Sequence, residues 1–177
     1  MSTVFSRRSF LKYTAVAAVA VAGTSLLGGC SGAETATSTE IGGVNTVLQV
    51  SAKLNSLTVD VNTGTATFNL SIANGRRNAI TVSPRCFGVK AYDQDGNETF
   101  TAYMNSSVTL KHTDGDGPQI LKGKEGTYDI TVTGLPVESG DTNPIATLHL
   151  IYMPDPEYNE YTSNWKITGT DPMPALV

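Results

Sequence analysis

After about residue 44 the chain settles into short runs in which apolar and polar residues alternate, each run closed by a turn-forming group. Leu57, Val59 and Val61 alternate with Ser56, Thr58 and Asp60, and Asn62-Thr63-Gly64 follows. Ala66, Phe68, Leu70 and Ile72 then alternate with Thr67, Asn69 and Ser71 up to Asn74-Gly75. A period of two sends successive side chains to opposite faces of a strand, so these runs predict a hairpin with one apolar face. Ile80 and Val82 predict a short strand stopped by Ser83-Pro84. Phe87, Val89 and Ala91 predict the next, which puts Cys86 on the face away from the core. The turn Asp93-Gln94-Asp95-Gly96-Asn97 leads to Phe100, Ala102 and Met104, and Val108 and Leu110 follow. Ile120, the turn Lys122–Gly126, and the strand carrying Tyr128, Ile130 and Val132 come next. Ala146, Leu148, Leu150 and Tyr152 face inward and Thr147, His149 and Ile151 outward, with Trp165 and Ile167 on a last edge strand. No segment after residue 40 sustains helical spacing. About eight to ten short strands with turns between them predict an all-β, Greek-key sandwich.

The first thirty residues have a different texture. Arg7, Arg8 and Lys12 are the charges before Cys30, and Ala15 to Gly23 is rich in Ala and Val rather than Leu. Gly23, Thr24, Ser25, Gly28 and Gly29 interrupt the apolar run, so it is a poor membrane span, which wants about 20 strongly apolar residues. Ser6-Arg7-Arg8-Ser9-Phe10-Leu11-Lys12 before that run resembles a twin-arginine export signal, with Arg7, Arg8, Phe10 and Leu11 as its signal residues. Leu27-Gly28-Gly29-Cys30 resembles a bacterial lipobox, which implies that Cys30 is lipidated and becomes the first mature residue. The expected product is held by lipid on the extracytoplasmic face of a bacterial membrane, at the cell surface or in the periplasm. The expected boundaries are a signal peptide over 1–29, a lipidated cysteine and flexible tether over 30–43, a sandwich over 44–170 and a tail over 171–177. Residues 31–39 contain no large apolar side chain, which is why they are expected to remain a tether.

Composition narrows the partners. From Cys30 onward there are 148 residues, enough for one self-sufficient core. Three of the twelve Lys and Arg precede Cys30, leaving nine against all sixteen Asp and Glu, a formal charge of −7. That balance argues against nucleic acid and against anionic lipid headgroups, which call for basic patches. Lipidation of Cys30 would leave Cys86 without a partner in its own chain, so stability is expected from the core rather than from a disulfide. Cys86 itself is expected to be a small apolar residue tucked under a loop. The runs Asn69–Asn74, Phe87–Gly96 and Lys122–Tyr128 resemble the immunoglobulin-like domains of uncharacterised bacterial surface lipoproteins over roughly residues 50 to 153. That resemblance implies a fold and carries no catalytic residues.

Chemistry is sparse. His112 and His149 are the two histidines, and neither stands in a nucleophile elbow, a phosphate-cradling loop or a His-Glu-x-x-His helix. His149 is expected to be a solvated strand residue, and no catalytic role is expected. Asp93-x-Asp95-x-Asn97 begins like a calcium loop, but Gly96 falls at the fourth position and no Glu stands at the twelfth. Asp114 with Asp116, and Asp155 with Glu157 and Glu160, are more economically turns. Cys86, His112, His149, Met104 and Met153 lack a close-spaced copper motif. No metal and no cofactor is expected. The richest stretch is Tyr152 to Tyr161 leading to Trp165, from which Tyr158, Tyr161 and Trp165 are the candidate ligand-binding residues. The function expected is a non-enzymatic binding role at the envelope toward a protein or carbohydrate partner. The alternative is a metal- or small-ligand-binding lipoprotein supporting an envelope system.

Overall fold

The computed structural model describes residues 35–60, 62–103, 108–114, 117–136, 145–158 and 160–168. The export-signal residues Arg7, Arg8, Phe10 and Leu11, the lipobox Cys30 and the tail therefore lie outside the described residues, as do Val61, Met104 and Asp116. The strands are β1 (Thr35–Ser38), β2 (Val44–Val47), β3 (Val50–Asp60), β4 (Thr65–Asn74), β5 (Ile80–Thr81), β6 (Phe87–Tyr92), β7 (Glu98–Tyr103), β8 (Val108–Asp114), β9 (Gln119–Ile120), β10 (Glu125–Thr133), β11 (Thr147–Tyr152) and β12 (Thr162–Thr168). One sheet runs β1-β12-β11-β6-β7, the other β2-β3-β4-β10-β8, and β5 pairs with β9 apart from both.

The two sheets close over a single apolar cluster. Leu54, Phe68, Leu70, Ile72, Tyr128 and Ile130 enter it from one side. Phe87, Val89, Leu148, Leu150, Tyr152 and Trp165 enter it from the other. The chain is an all-β sandwich, as the alternation predicts. β4 and β10 keep strict period two along their whole length, every second residue being buried. Phe87 and Tyr152, paired on neighbouring strands, stack at 5.2 Å and 26°. Burying each such side chain is worth about 1.5–3 kcal/mol, so the cluster is ample for one domain.

Three expectations are corrected by the fold. The stretch expected to be a flexible tether is ordered from Thr35: β1 lies parallel to β12, with Thr35 opposite Thr162 and Ser38 opposite Trp165. Backbone pairing, not burial, orders it, which is why a stretch without large apolar residues misleads. Cys86 is buried in the core rather than on the opposite face. It belongs to the 3-10 turn Pro84–Cys86, where strand parity has no meaning. His149 has outward parity but is only 9 % exposed. A further difference lies in β3, which begins at Val50, not near Leu57: a bulge between Leu54 and Ser56 inserts one residue and inverts the alternation midway.

Strand directions assign the loops to two ends. Thr35, Thr162, Tyr152 and Phe87 pair across neighbouring strands at one end of the first sheet. In the second sheet the turn Leu48-Gln49, the end of β4 at Asn74 and the start of β10 share an end. The Arg76–Asp155 contact shows that these are the same end of the sandwich, here called the N-terminal pole because the chain enters the fold there. The turns after Asp60 and Asp93 lie at the opposite pole.

Candidate functional site

A concavity of about 650 Å³ opens at the N-terminal pole, lined by Leu48, Gln49, Arg76, Asp155, Tyr158 and Tyr161. One wall is the two-residue connection between β2 and β3. Leu48 (φ 50°) and Gln49 (φ 62°) both adopt left-handed backbone, as a two-residue hairpin requires, although neither is Gly, Asn or Asp. Such a turn carries a strain of order 1–3 kcal/mol per residue and persists when its surroundings hold it. Here Gly75 N–H donates to the Gln49 carbonyl at 2.8 Å, and Arg76 Nε donates to the Leu48 carbonyl at 2.9 Å. A Cβ on residue 75 would stand 2.7 Å from the Gln49 oxygen, so the approach requires glycine.

Arg76 sits at the centre. Its own N–H is accepted by Asn74 Oδ1 at 2.8 Å. Asn74 is buried and donates in turn to the carbonyls of Asn78 (2.8 Å) and Ile120 (2.9 Å), stapling the loop after β4 to β9. Of the guanidinium, Nη1 stands 3.8 Å from Asp155 Oδ2, a loose ion pair on partly exposed side chains. Nη2 is shielded from solvent and has no hydrogen-bond partner among the described residues. A donor left unmade in this way costs about 1–3 kcal/mol.

The other wall is the connection between β11 and β12. Pro154 and Pro156 fix its φ angles, Asp155 Oδ1 accepts Glu157 N–H at 3.2 Å, and two successive turns close from Tyr158 N–H to Asp155 O and from Tyr161 N–H to Tyr158 O. They leave Tyr158 54 % exposed and Tyr161 half-buried. Arg76 and Asp155 also border a second hollow of about 390 Å³, lined as well by Arg85, Cys86, Pro154 and Glu157.

Two of the three candidate residues, Tyr158 and Tyr161, come together here. Trp165 does not: it is fully buried between the sheets, and its Nε1 donates to the Gly43 carbonyl at 2.9 Å. Its place on β12 has inward parity, so the ring closes the core three strand positions after the loop ends. Arg76, Leu48 and Gln49 also belong to the cleft, and nothing in the local sequence singles them out. Leu-Gln carries no turn signal, and Arg76 had none beyond being one of three arginines after Cys30.

The remaining chemistry is dispersed. His112, on β8 of the second sheet, packs its ring 4.8 Å from that of Tyr128. His149, on β11 of the first sheet, bonds through Nε2 to Asn164 Oδ1 at 2.9 Å. Burial holds its imidazole below the ordinary value, Lys166 and Lys90 add to that, and the Asn164 bond opposes it. Cys86 Sγ lies 3.7 Å from the Thr81 carbonyl and 3.6 Å from Ser83 Oγ. Asp93 accepts the backbone N–H groups of Asp95 and Asn97 and the Asn97 side-chain amide, which together hold its carboxyl below the usual range. Among the described residues no three His, Cys, Asp or Glu converge as metal ligands.

Comparison with known proteins bears out the twin-arginine signal. Residues 4–24 match the family model for the twin-arginine translocation pathway signal sequence. That signal directs export across the cytoplasmic membrane. Among curated proteins none matches the chain. Similar solved structures include the yjhA protein of Bacillus subtilis, at 10% identity over 75% of this chain and 98% of that one, TM-score 0.44. An uncharacterised β-sandwich protein of Clostridium difficile is similar at 10% identity over 79% of this chain and 99% of that one, TM-score 0.45. A candidate lipoprotein of Bacillus subtilis, ycdA, is similar at 15% identity over 72% of this chain, which spans 39% of it, TM-score 0.45.

Proposed function

We propose that this chain is a lipid-anchored, extracytoplasmic domain that acts by binding rather than by catalysis, and that the Arg76–Tyr158–Tyr161 cleft is its ligand-contacting surface. Export supplies the compartment, and the Leu27-Gly28-Gly29-Cys30 sequence supplies the anchor. The sandwich is of immunoglobulin-like type in this reading. Leaving β1 and β2 aside, β3-β4-β10-β8 faces β12-β11-β6 in the order of the A-B-E-D and G-F-C sheets, with β7 added beyond C in the place of a C′ strand. Against catalysis stands the placement of the two histidines: one is tilted onto Tyr128 in one sheet, the other is tied to Asn164 on the outside of the other.

The observation that carries the proposal is a concave site that brings together a tyrosine more than half exposed, the half-buried Tyr161 and the loose, partly exposed Arg76–Asp155 ion pair. Sites that orient a ligand combine apolar aromatic faces with a few fixed polar groups, and this cleft has both. A sugar ring or a peptide segment with a polar edge fits that pairing. The test is an array of defined glycans and peptides probed with the mature wild-type protein and with a Tyr158→Ala/Tyr161→Ala variant. Ligands bound by the wild type should weaken on the order of tenfold or more in the variant, the size expected for aromatic anchors. Equal binding by both proteins, or turnover of an array component by the wild type, would overturn the reading.

A further inference from the structure

The path of the chain into the fold fixes which end of the molecule the anchor holds. β1 starts at Thr35, opposite Thr162, at the pole that carries the cleft. Five residue steps separate Cys30 from Thr35, a reach of at most about 18 Å when fully extended. β3 alone is 11 residues long, and a strand of that length spans about 36 Å. A chain anchored at Cys30 therefore keeps the cleft pole within one short reach of the bilayer, and the opposite pole a sandwich length beyond it.

Charge is distributed along the same axis. Of the nine Lys and Arg after Cys30, five (Arg76, Arg77, Arg85, Lys122 and Lys124) lie at the N-terminal pole. Four of these sit on two adjoining loops. Asn74 N–H donates to the Lys124 carbonyl at 2.9 Å, Gly123 N–H to the Asn74 carbonyl at 2.7 Å, and the Asn74 amide holds Asn78 and Ile120. Leu121, which opens the second of these loops and accepts the Lys124 N–H, is 60 % exposed, and Tyr158 stands on the far wall of the cleft from Arg76. Among the described residues the carboxylates of this pole are Glu125 beside Lys124, Asp155 against Arg76, and Glu157 and Glu160 on the tyrosine lip; in the sequence Asp114 ends β8 and Glu34 directly precedes β1. The second-sheet lip is thus cationic and carries an exposed apolar residue, although the mature chain as a whole is acidic. Basic loops next to a lipid anchor are drawn to anionic headgroups, by on the order of fivefold per Lys or Arg near the surface, and leucine and tyrosine suit the interface.

We infer that the Arg76-Arg77 and Leu121–Lys124 loops seat the N-terminal pole on the anionic surface of the bilayer that holds the anchor. The cleft then opens beside the membrane, toward components held within a short distance of the headgroups. The inference rests on the lipid anchor proposed above.

The test uses the lipidated protein purified from membranes, reconstituted in vesicles of phosphatidylcholine alone or with one-third phosphatidylglycerol. Nitroxide labels are placed at the exposed Asn78→Cys near the basic loops or Gln94→Cys at the opposite pole, and their exposure to an aqueous relaxation agent is measured. In the phosphatidylglycerol vesicles the label at 78 should be shielded at least threefold relative to that at 94. Shielding should fall in phosphatidylcholine, at high salt, and in a Lys122→Glu/Lys124→Glu variant. An acylated protein whose label at 78 is as water-exposed as that at 94 in both vesicles overturns the seating alone. An unmodified Cys30 in the native product, found by mass spectrometry, overturns the anchor and the seating with it.

Discussion

The two poles of the sandwich are built from the same kinds of turn and end in opposite conditions. At the opposite pole Asp60 accepts from Asn62 N–H at 2.9 Å and Thr63 Oγ at 2.8 Å, and Asp93 accepts three bonds from its own turn. Both carboxyls are held below the ordinary value by these local bonds, so each is spent on its own turn. At the N-terminal pole a strained Leu-Gln turn is held by Gly75 and Arg76, the ion pair to Asp155 is long, and one arm of Arg76 is unmatched. Turns that satisfy themselves only close a fold. A pole with a strained turn, a loose ion pair and an exposed aromatic is where the molecule can meet something else.

The largest effect that sharpens this contrast separates the core from the cleft within one stretch of sequence. Trp165→Ala should cost about 3–5 kcal/mol in urea unfolding, as expected for a fully buried aromatic. Tyr158→Ala should change stability by no more than about 0.5 kcal/mol, because its ring is surface. A comparable loss in both would mean that Tyr158 is part of the packing and the cleft is closed in solution. Next in size is Asn74→Ala, which unpairs the Arg76 N–H and the Asn78 and Ile120 carbonyls and should cost about 1–3 kcal/mol. Thr63→Val at the opposite pole should stay within about 0.5 kcal/mol. Equal costs would erase the distinction between a stapled pole and a self-contained one.

The smallest effect concerns neither pole, and serves as a control on the sheet between them. The folded-state value of His149 lies below its unfolded value of about 6.5, so the unfolded chain takes up the proton first as pH falls. The stability contributed by keeping the ring neutral is therefore present above about pH 6.5 and is lost as pH drops through that value toward the folded one. Melting midpoints taken from about pH 8 to about pH 5 should decline more steeply for the wild type than for His149→Gln. Parallel curves would show that the ring titrates freely and is not enclosed.

The core was legible because β4 and β10 hold period two without interruption, and Phe68, Leu70, Tyr128 and Ile130 all face inward as their parity requires. Parity failed wherever the backbone left the strand. The bulge in β3 hid Val50 to Leu54, and the 3-10 turn carried Cys86 inward. Burial of His149 on the outer face depends on neighbours in other strands: Asn164 on β12 bonds it, and Lys90 and Lys166 stand opposite it on β6 and β12. The tyrosines of the cleft were visible as an aromatic, proline-bearing loop, but Trp165 could be told from them only through the register of β12 against β11. Arg76 was invisible because its role arises from two turns far apart in sequence, Leu48-Gln49 and Asn74-Gly75. The acidic total likewise conceals a basic lip, since a net charge has no direction.

The most direct trial of the claim that one pole is the working end is photocrosslinking in living cells. A benzophenone side chain is introduced in place of Tyr158 or, at the opposite pole, of Gln94 in the full-length exported protein. The account predicts a discrete crosslinked envelope component from position 158 and none from position 94. The same crosslink from both positions, or one confined to position 94, would contradict it.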